Sequence, residues 1–305
     1  EFELTGLPNG KFDIQISHIG YASQIVPGTL GKTQFELEVV LMPASVEAEG
    51  VVVSAGYSTT QHQNAVKIEV LRLNEHHLMK SPNFMEMLTT VPGIDMISKG
   101  NGVAKPVIRG LSMNDVLVLN NGVRFENYQY SNHHPLGIDE FGIETVEVIK
   151  GPASLLFGSD AIGGVLNFIK ERPATVGKLE GDYNLQLFSN SLGMVNNLGF
   201  KVSDNQFHGG IRVGQKTHSD YLQGGGEFVP NSRFYEHSVK LNGGFNGKML
   251  STNIYYDYNM QKLGLVEEEA IDLIASRGRK PSLYYQQFGT HLVSQQSKIF
   301  LGKTK

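Results

Sequence analysis

IETVEVIKGPASLLFGSDAIGG, residues Ile143 to Gly164, decides how this chain is read. A strand-like stretch runs into a glycine-rich turn and a short apolar segment, which is the outline of a phosphate loop. A phosphate cradle, however, needs Lys-Ser or Lys-Thr straight after its last glycine, and here Val165, Leu166 and Asn167 follow. The dinucleotide variant needs G-x-G-x-x-G at the head of a full amphipathic helix, and that spacing is absent. Both readings fail. What survives is structural: Val146, Val148 and Lys150 alternate along a strand, Pro152 opens a short helix, and Gly158 closes it.

The bulk composition narrows the classes further. The 305 residues are 40% hydrophobic and 18% charged, with 35 glycines, a balance that favours strands and turns around a real core. Twenty-six basic against 30 acidic residues give a formal charge of −4, so no electrostatic footprint for nucleic acid exists. With no cysteine there is no disulfide, no thiol catalysis and no Cys-ligated zinc. No apolar run reaches the roughly 18 residues that a membrane-spanning helix requires. A barrel is still open, because each of its strands offers only about 10 residues of alternating polarity.

Along the chain the texture changes three times. Residues 1–43 alternate apolar and polar residues around the Pro8-Asn9-Gly10 turn and read as the end of a small β-sandwich that opens in mid-strand. This leads us to expect a piece of a longer protein. Residues 44–65 are small and polar apart from Val51, Val52 and Val53, a linker with one β-prone segment. Residues 66–173 mix short elements into a compact α+β domain. Ser81 caps a helix with Pro82 at its first position, Phe84, Met85, Leu88 and Val91 give it an apolar face, and Pro92-Gly93 stops it. Strands are expected at Ile94 to Ile97, Pro106 to Arg109, Asp115 to Leu119, Glu144 to Lys150 and Val165 to Ile169.

Residues 174–305 read as longer strands with two distinct faces. Phe234, Glu236, Ser238, Lys240 and Asn242 oppose Tyr235, His237, Val239 and Leu241; Asn253, Tyr255, Asp257 and Asn259 oppose Ile254, Tyr256, Tyr258 and Met260. Tight turns at SDNQ and FNGK alternate with long connections at Ser219 to Ser232 and Lys262 to Gln286. Aromatic residues on an apolar face and short turns opposite long loops suit an outer-membrane barrel; a soluble antiparallel sandwich is the competing reading.

Three stretches, in order, carry a more specific likeness: NFMEMLTTVPGIDM, VIRGLSMNDVLVLNNGVRFE and FGIETVEVIKGPASLLFGSDAIGGVLNFI. Together they make Leu71 to Pro173 resemble the plug domain of TonB-dependent outer-membrane receptors. The resemblance implies an α+β plug followed by antiparallel strands of a transmembrane β-barrel, with residues 1–43 the remnant of a carboxypeptidase-regulatory-like sandwich of the kind found ahead of plugs in Bacteroidota-type receptors. About six strands follow the plug, against the roughly 22 with which plugged transporters close. In that setting Gly151-Pro152 and Gly163-Gly164 serve close backbone packing and not catalysis. DVLVLNNG and IKGPAS look like the branch that takes siderophores, cobalamin and metal complexes, where glycan receptors read more like PLYVIDG and LKDASA.

The resemblance also implies partners and sites. The inner-membrane protein TonB would pair by strand addition with a periplasmic N-terminal segment, for which Glu49, Gly50, Val51, Val52, Val53 and Ser54 are the candidate TonB box. Outer-membrane lipid would surround the barrel, and a surface lipoprotein lid is a further partner that the likeness leaves open. Ligand would meet the outward plug loop NYQYSNHHPLGIDEFG. There Asn127, Tyr128 and Tyr130 can contact or stack on it, and His133 and His134 can bind a transition metal, with Asp139 or Glu140 as an oxygen ligand. His76 and His77 form a second pair to which no role is assigned. Arg109, Glu147 and Lys150, beside Gly151 and Pro152, would form either a charged, releasable seal against the barrel wall or an ordinary ion pair of the plug core.

These readings make the leading expectation an active importer of a metal, a siderophore-type chelate or a cobalamin-like ligand. A surface receptor that binds and signals without importing is the alternative. An enzyme is the weakest reading, since no nucleophile elbow, H-E-x-x-H or cysteine is present.

Overall fold

The computed structural model of the protein describes residues 10–16, 24–30, 39–40, 68–73, 82–126, 134–151, 154, 157–247 and 249–300. Near the start, β1 (Gly10–Ile16) and β2 (Gln24–Leu30) form an antiparallel pair. Phe12 lies across from Gly28, where a Cβ would stand 2.6 Å from the ring.

The α+β domain contains β3 (Ile68–Arg72), α1 (Met85–Leu88), β4 (Ile94–Lys99), β5 (Val103–Ile108), β6 (Leu111–Ser112), β7 (Val116–Asn120), β8 (Val123–Arg124), β9 (Ile143–Ile149) and β10 (Gly164–Lys170). Its main sheet runs β3-β9-β10-β7-β8, and a smaller one runs β4-β5-β6. β7 and β10 are parallel; the other neighbours are antiparallel. The main sheet is covered on both faces, which explains why VLVLN in β7 is apolar almost throughout and wholly buried. Val146, Val148, Leu166 and Phe168 pack on one side with Phe84 and Leu88, while Leu117, Leu119, Ile149 and Val165 pack on the other. Phe84 meets Phe168 edge to face at 6.0 Å.

The helix is shorter than the sequence predicts. It begins at Met85, and Asn83 Oδ1, not a serine, accepts the Met85 N–H at 3.0 Å. Ser81 lies outside the described residues. Gly158, with φ 108, stands at the head of the 3₁₀ turn Ser159–Ala161, where closure of a helix was expected.

The glycines of the opening stretch serve packing. A Cβ on Gly163 would lie 2.8 Å from the Asp115 carbonyl oxygen, and one on Gly164 would lie 2.9 Å from that of Ile149, so two backbones approach where no side chain fits.

Six strands then form one antiparallel meander: β11 (Leu179–Phe188), β12 (Gly193–Ser203), β13 (Phe207–His218), β14 (Phe234–Asn246), β15 (Leu250–Gly264) and β16 (Tyr285–Ile299). The tight turn at 204–206 and the close passage from β14 to β15 lie at one end; the loops 219–233 and 265–284 lie at the other, with the four-residue turn 189–192. The second loop holds α2 (Glu268–Leu273). Burial is inside out: Arg212, Lys216, Glu236 and Lys240 are buried, whereas Leu187 is 73% exposed and Val293 69%. A soluble sandwich buries its apolar face; this sheet presents it outward, as a lipid-facing wall does. Among the described residues no helix is long and apolar enough to cross a membrane.

Candidate functional site

Where the α+β domain meets the six-stranded wall lies a seam of paired charges. The loop before β9 supplies Asp139 and Glu140, and the end of β10 supplies Lys170 and Glu171. The loop is held in shape from within: Asp139 Oδ1 accepts the Phe141 N–H at 2.9 Å, and the Ile143 N–H donates to the Glu140 carbonyl at 3.2 Å.

From the wall, Lys240 Nζ reaches Asp139 Oδ1 at 2.7 Å, and Asn259 Nδ2 donates to Asp139 Oδ2 at 2.8 Å. Lys216 Nζ lies 2.5 Å from Glu140 and 3.2 Å from Glu236, with the Phe141 ring centroid 5.2 Å away. Lys170 pairs with Asp257, to which Asn120 also donates. Arg212 grips Glu171 with two bonds of 2.9 and 3.0 Å and binds Asp182 at 2.7 Å. Every wall residue in this seam lies on the polar face that the sequence separates from the aromatic one.

The charges are tuned by these neighbours. Burial works against the Asp139 carboxylate, but the ammonium groups of Lys240 and Lys216 more than offset it and hold the carboxyl below the usual range. Burial, reinforced by Lys240, lowers Lys170 to about 8 despite the neighbouring Asp257.

Two further contacts fix the fit. Gly214 of β13 faces Phe141, and a Cβ there would lie 2.3 Å from the ring, so the plane of Phe141 seats directly on the wall backbone. Above it, Val103 packs with Phe234 and Leu263, and Gly102 lies against the same two side chains. The turn between β4 and β5 also brings Gly100 beneath Tyr221, Ser232 and Val266 of the long loops.

Several site expectations are corrected. Asp139 is 2% exposed and engaged by Lys240 and Asn259, so it is a seam residue and not an oxygen ligand in an open loop. Glu140 is likewise engaged by Lys216. Of the two readings for Arg109, Glu147 and Lys150, contacts inside the α+β domain fit and a seal against the wall does not. Glu147 is fully buried inside the main sheet and accepts from Asn167 at 3.1 Å, because its strand has both faces covered. Lys150 Nζ donates to the Pro92 carbonyl at 2.8 Å, and the Arg109 guanidinium lies beside Gly151, all within the α+β domain. Gly151 itself takes φ 82, which glycine accepts without strain.

His134 is half-buried with Nδ1 2.6 Å from Gln286 Oε1, and among the described residues no three His, Asp or Glu side chains group to hold a metal. Glu49, Gly50, Val51, Val52, Val53, Ser54, His76, His77, Asn127, Tyr128, Tyr130, His133 and Pro152 lie outside the described residues. Sequence reasoning missed Lys170, Glu171, Arg212 and Lys216. The detectable signal was the one polar face per wall strand, which implies a polar partner inside.

Comparison with known proteins agrees with this architecture. The family described as TonB-dependent Receptor Plug Domain matches residues 60–165. The Vitamin B12 transporter BtuB of Photobacterium profundum is 38% identical over 103 residues, which are 33% of this chain and 17% of that protein. The iron-regulated outer membrane virulence protein of Vibrio cholerae is 33% identical over 129 residues, covering 40% of this chain and 20% of that one. The chain therefore spans only a minor part of the length of these relatives. Among solved structures, a variant of the ferric enterobactin receptor PfeA from Pseudomonas aeruginosa, in complex with enterobactin, shares the fold with a TM-score of 0.55. That match covers 75% of this chain and 38% of that chain at 14% identity. Residues 60–165 thus match the plug domain of TonB-dependent receptors, and the six-stranded wall that folds against them gives the chain the fold of those solved structures.

Proposed function

We propose that the protein serves TonB-dependent import of a metal chelate, a cobalamin-like ligand or a metal ion across the outer membrane. The observation that carries this is the contrast between an apolar plug core and a polar plug–wall seam. Apolar contacts hold the plug together as a body. Charged contacts to the wall can exchange their partners for water as the plug shifts, so pulling can unseat the plug without first dissolving its core. The relatives named for vitamin B12 and iron support the ligand class. The family's members are transporters and receptors, which argues against an enzyme.

In this reading Glu49 to Ser54 is the strand that TonB captures, and the outward loop with Asn127, Tyr128, Tyr130, His133 and His134 meets the ligand. The outer membrane is the location, with the N-terminal segment on the periplasmic side.

Calorimetric titration of the full-length receptor in detergent with Zn²⁺, Cu²⁺, a ferric siderophore and cobalamin tests the ligand class, beside a His133→Ala/His134→Ala double variant. Binding of a chelate that ignores the histidines places recognition on the tyrosines and barrel loops. Tight binding of a free ion that the double variant loses makes the protein a metal-ion importer. Binding of none of the four overturns the ligand class.

A further inference from the structure

The outward face of the wall carries its own pattern. Of the charged residues in β11 to β16, Lys262 alone takes an outward position; the rest, Arg212 and Asp257 among them, share the inward parity. Across the register an outward row in the middle of the wall is apolar, Ile211–Leu241–Tyr256–Val293. Toward the loop end the outward positions turn polar, and Thr217, Tyr235, Lys262 and Gln287 align. Long loops mark the outer side of such barrels, so this row lies at the height of the outer-leaflet headgroups.

Lys262 is also fixed in place. Its Nζ rests 4.0 Å from the centroid of Tyr285, and Tyr235 and Gln287 are its direct cross-strand neighbours. No carboxylate occupies an outward position on these six strands. An ammonium resting on a ring still has N–H donors, and here the face that carries it offers no internal anion. We propose that Lys262, with Tyr235, Tyr285 and Gln287, binds the phosphate of an outer-leaflet lipid and anchors the wall at a set height. The cation supplies charge-assisted hydrogen bonds, and the tyrosines sit at the boundary where an apolar body and a polar tip are both satisfied.

This inference rests on the membrane-spanning reading of the wall, and the two can fail separately. The full-length receptor is reconstituted into vesicles and its loops tested for protease access; failure to insert overturns the membrane reading. In mild neutral detergent, wild type, Lys262→Gln and Lys262→Arg are then titrated with a short-chain phosphatidic acid, with inorganic phosphate and a neutral short-chain glyceride as the other arms. The expected result is about fivefold weaker phosphatidic acid binding by Lys262→Gln, the effect of one basic side chain at an anionic lipid surface, with Lys262→Arg close to wild type. Equal binding by Lys262→Gln and wild type in a receptor that inserts overturns the lipid site. Displacement of the lipid by inorganic phosphate at equal concentration overturns the assignment to lipid.

Discussion

Asp139 shows how a single residue sets the seam. It is 2% exposed, and its two oxygens are taken by Lys240, Asn259 and the Phe141 N–H. Asp139→Asn keeps the shape but removes the carboxylate nearest the buried Lys240, leaving it Asp257 and Glu236, and breaking such a pair from one side costs up to about 3–5 kcal/mol. The double variant Asp139→Asn/Lys240→Met should be markedly less destabilised than the sum of its single changes, as read from thermal unfolding of the receptor. Strict additivity would show that the pair is not coupled. Lys170 makes a pH prediction. With its folded value lowered to about 8 from an ordinary 10.5, the unfolded chain binds the extra proton between those values, so its contribution to stability rises with pH across that window. It is lost again as pH falls through about 8. Lys170→Met should flatten the rise, on the order of 3 kcal/mol, between pH 8 and 10.5; an unchanged slope would rule out Lys170 as its source.

Elements explain what a sequence could and could not reveal. β7 was legible because a buried strand reads as an apolar run, β9 because Val146, Val148 and Lys150 alternate, and the wall strands because each has two unlike faces. The site was less legible. Asp139 looks like part of a polar loop, and only the arrival of Lys240 from another strand roughly 100 residues later makes it a seam residue. Glu147 read equally as a seal at the wall or as a charge paired inside the plug, and only Asn167 on the neighbouring strand makes it an internal residue. Gly214 carries no chemical signature in the sequence, although it is where the plug rests. Because a Cβ there would collide with Phe141, Gly214→Val should unseat the loop at 139–142, and Phe141→Ala in the same chain should relieve it. Protease sensitivity of that loop reads both changes; a Gly214→Val receptor as protected as wild type would contradict the close fit.

At the scale of the whole molecule, the proposed function has plug and wall divide the work between cohesion and release. A plug with an apolar core and a polar rim should leak when the rim is loosened and the core is intact. Cells carrying the full-length receptor with Asp139→Asn and Glu171→Gln should become more sensitive to large antibiotics that the outer membrane excludes, without loss of receptor from the membrane. Unchanged sensitivity at equal receptor levels would separate the seam from gating. The most direct test of the account is uptake of labelled cobalamin and of a labelled ferric siderophore by cells that carry the full-length receptor, with TonB present or deleted, beside a Val52→Pro variant. The account predicts accumulation of at least one of these ligands only when TonB is present and residue 52 is valine. Accumulation that persists without TonB, or that Val52→Pro leaves unchanged, would contradict it.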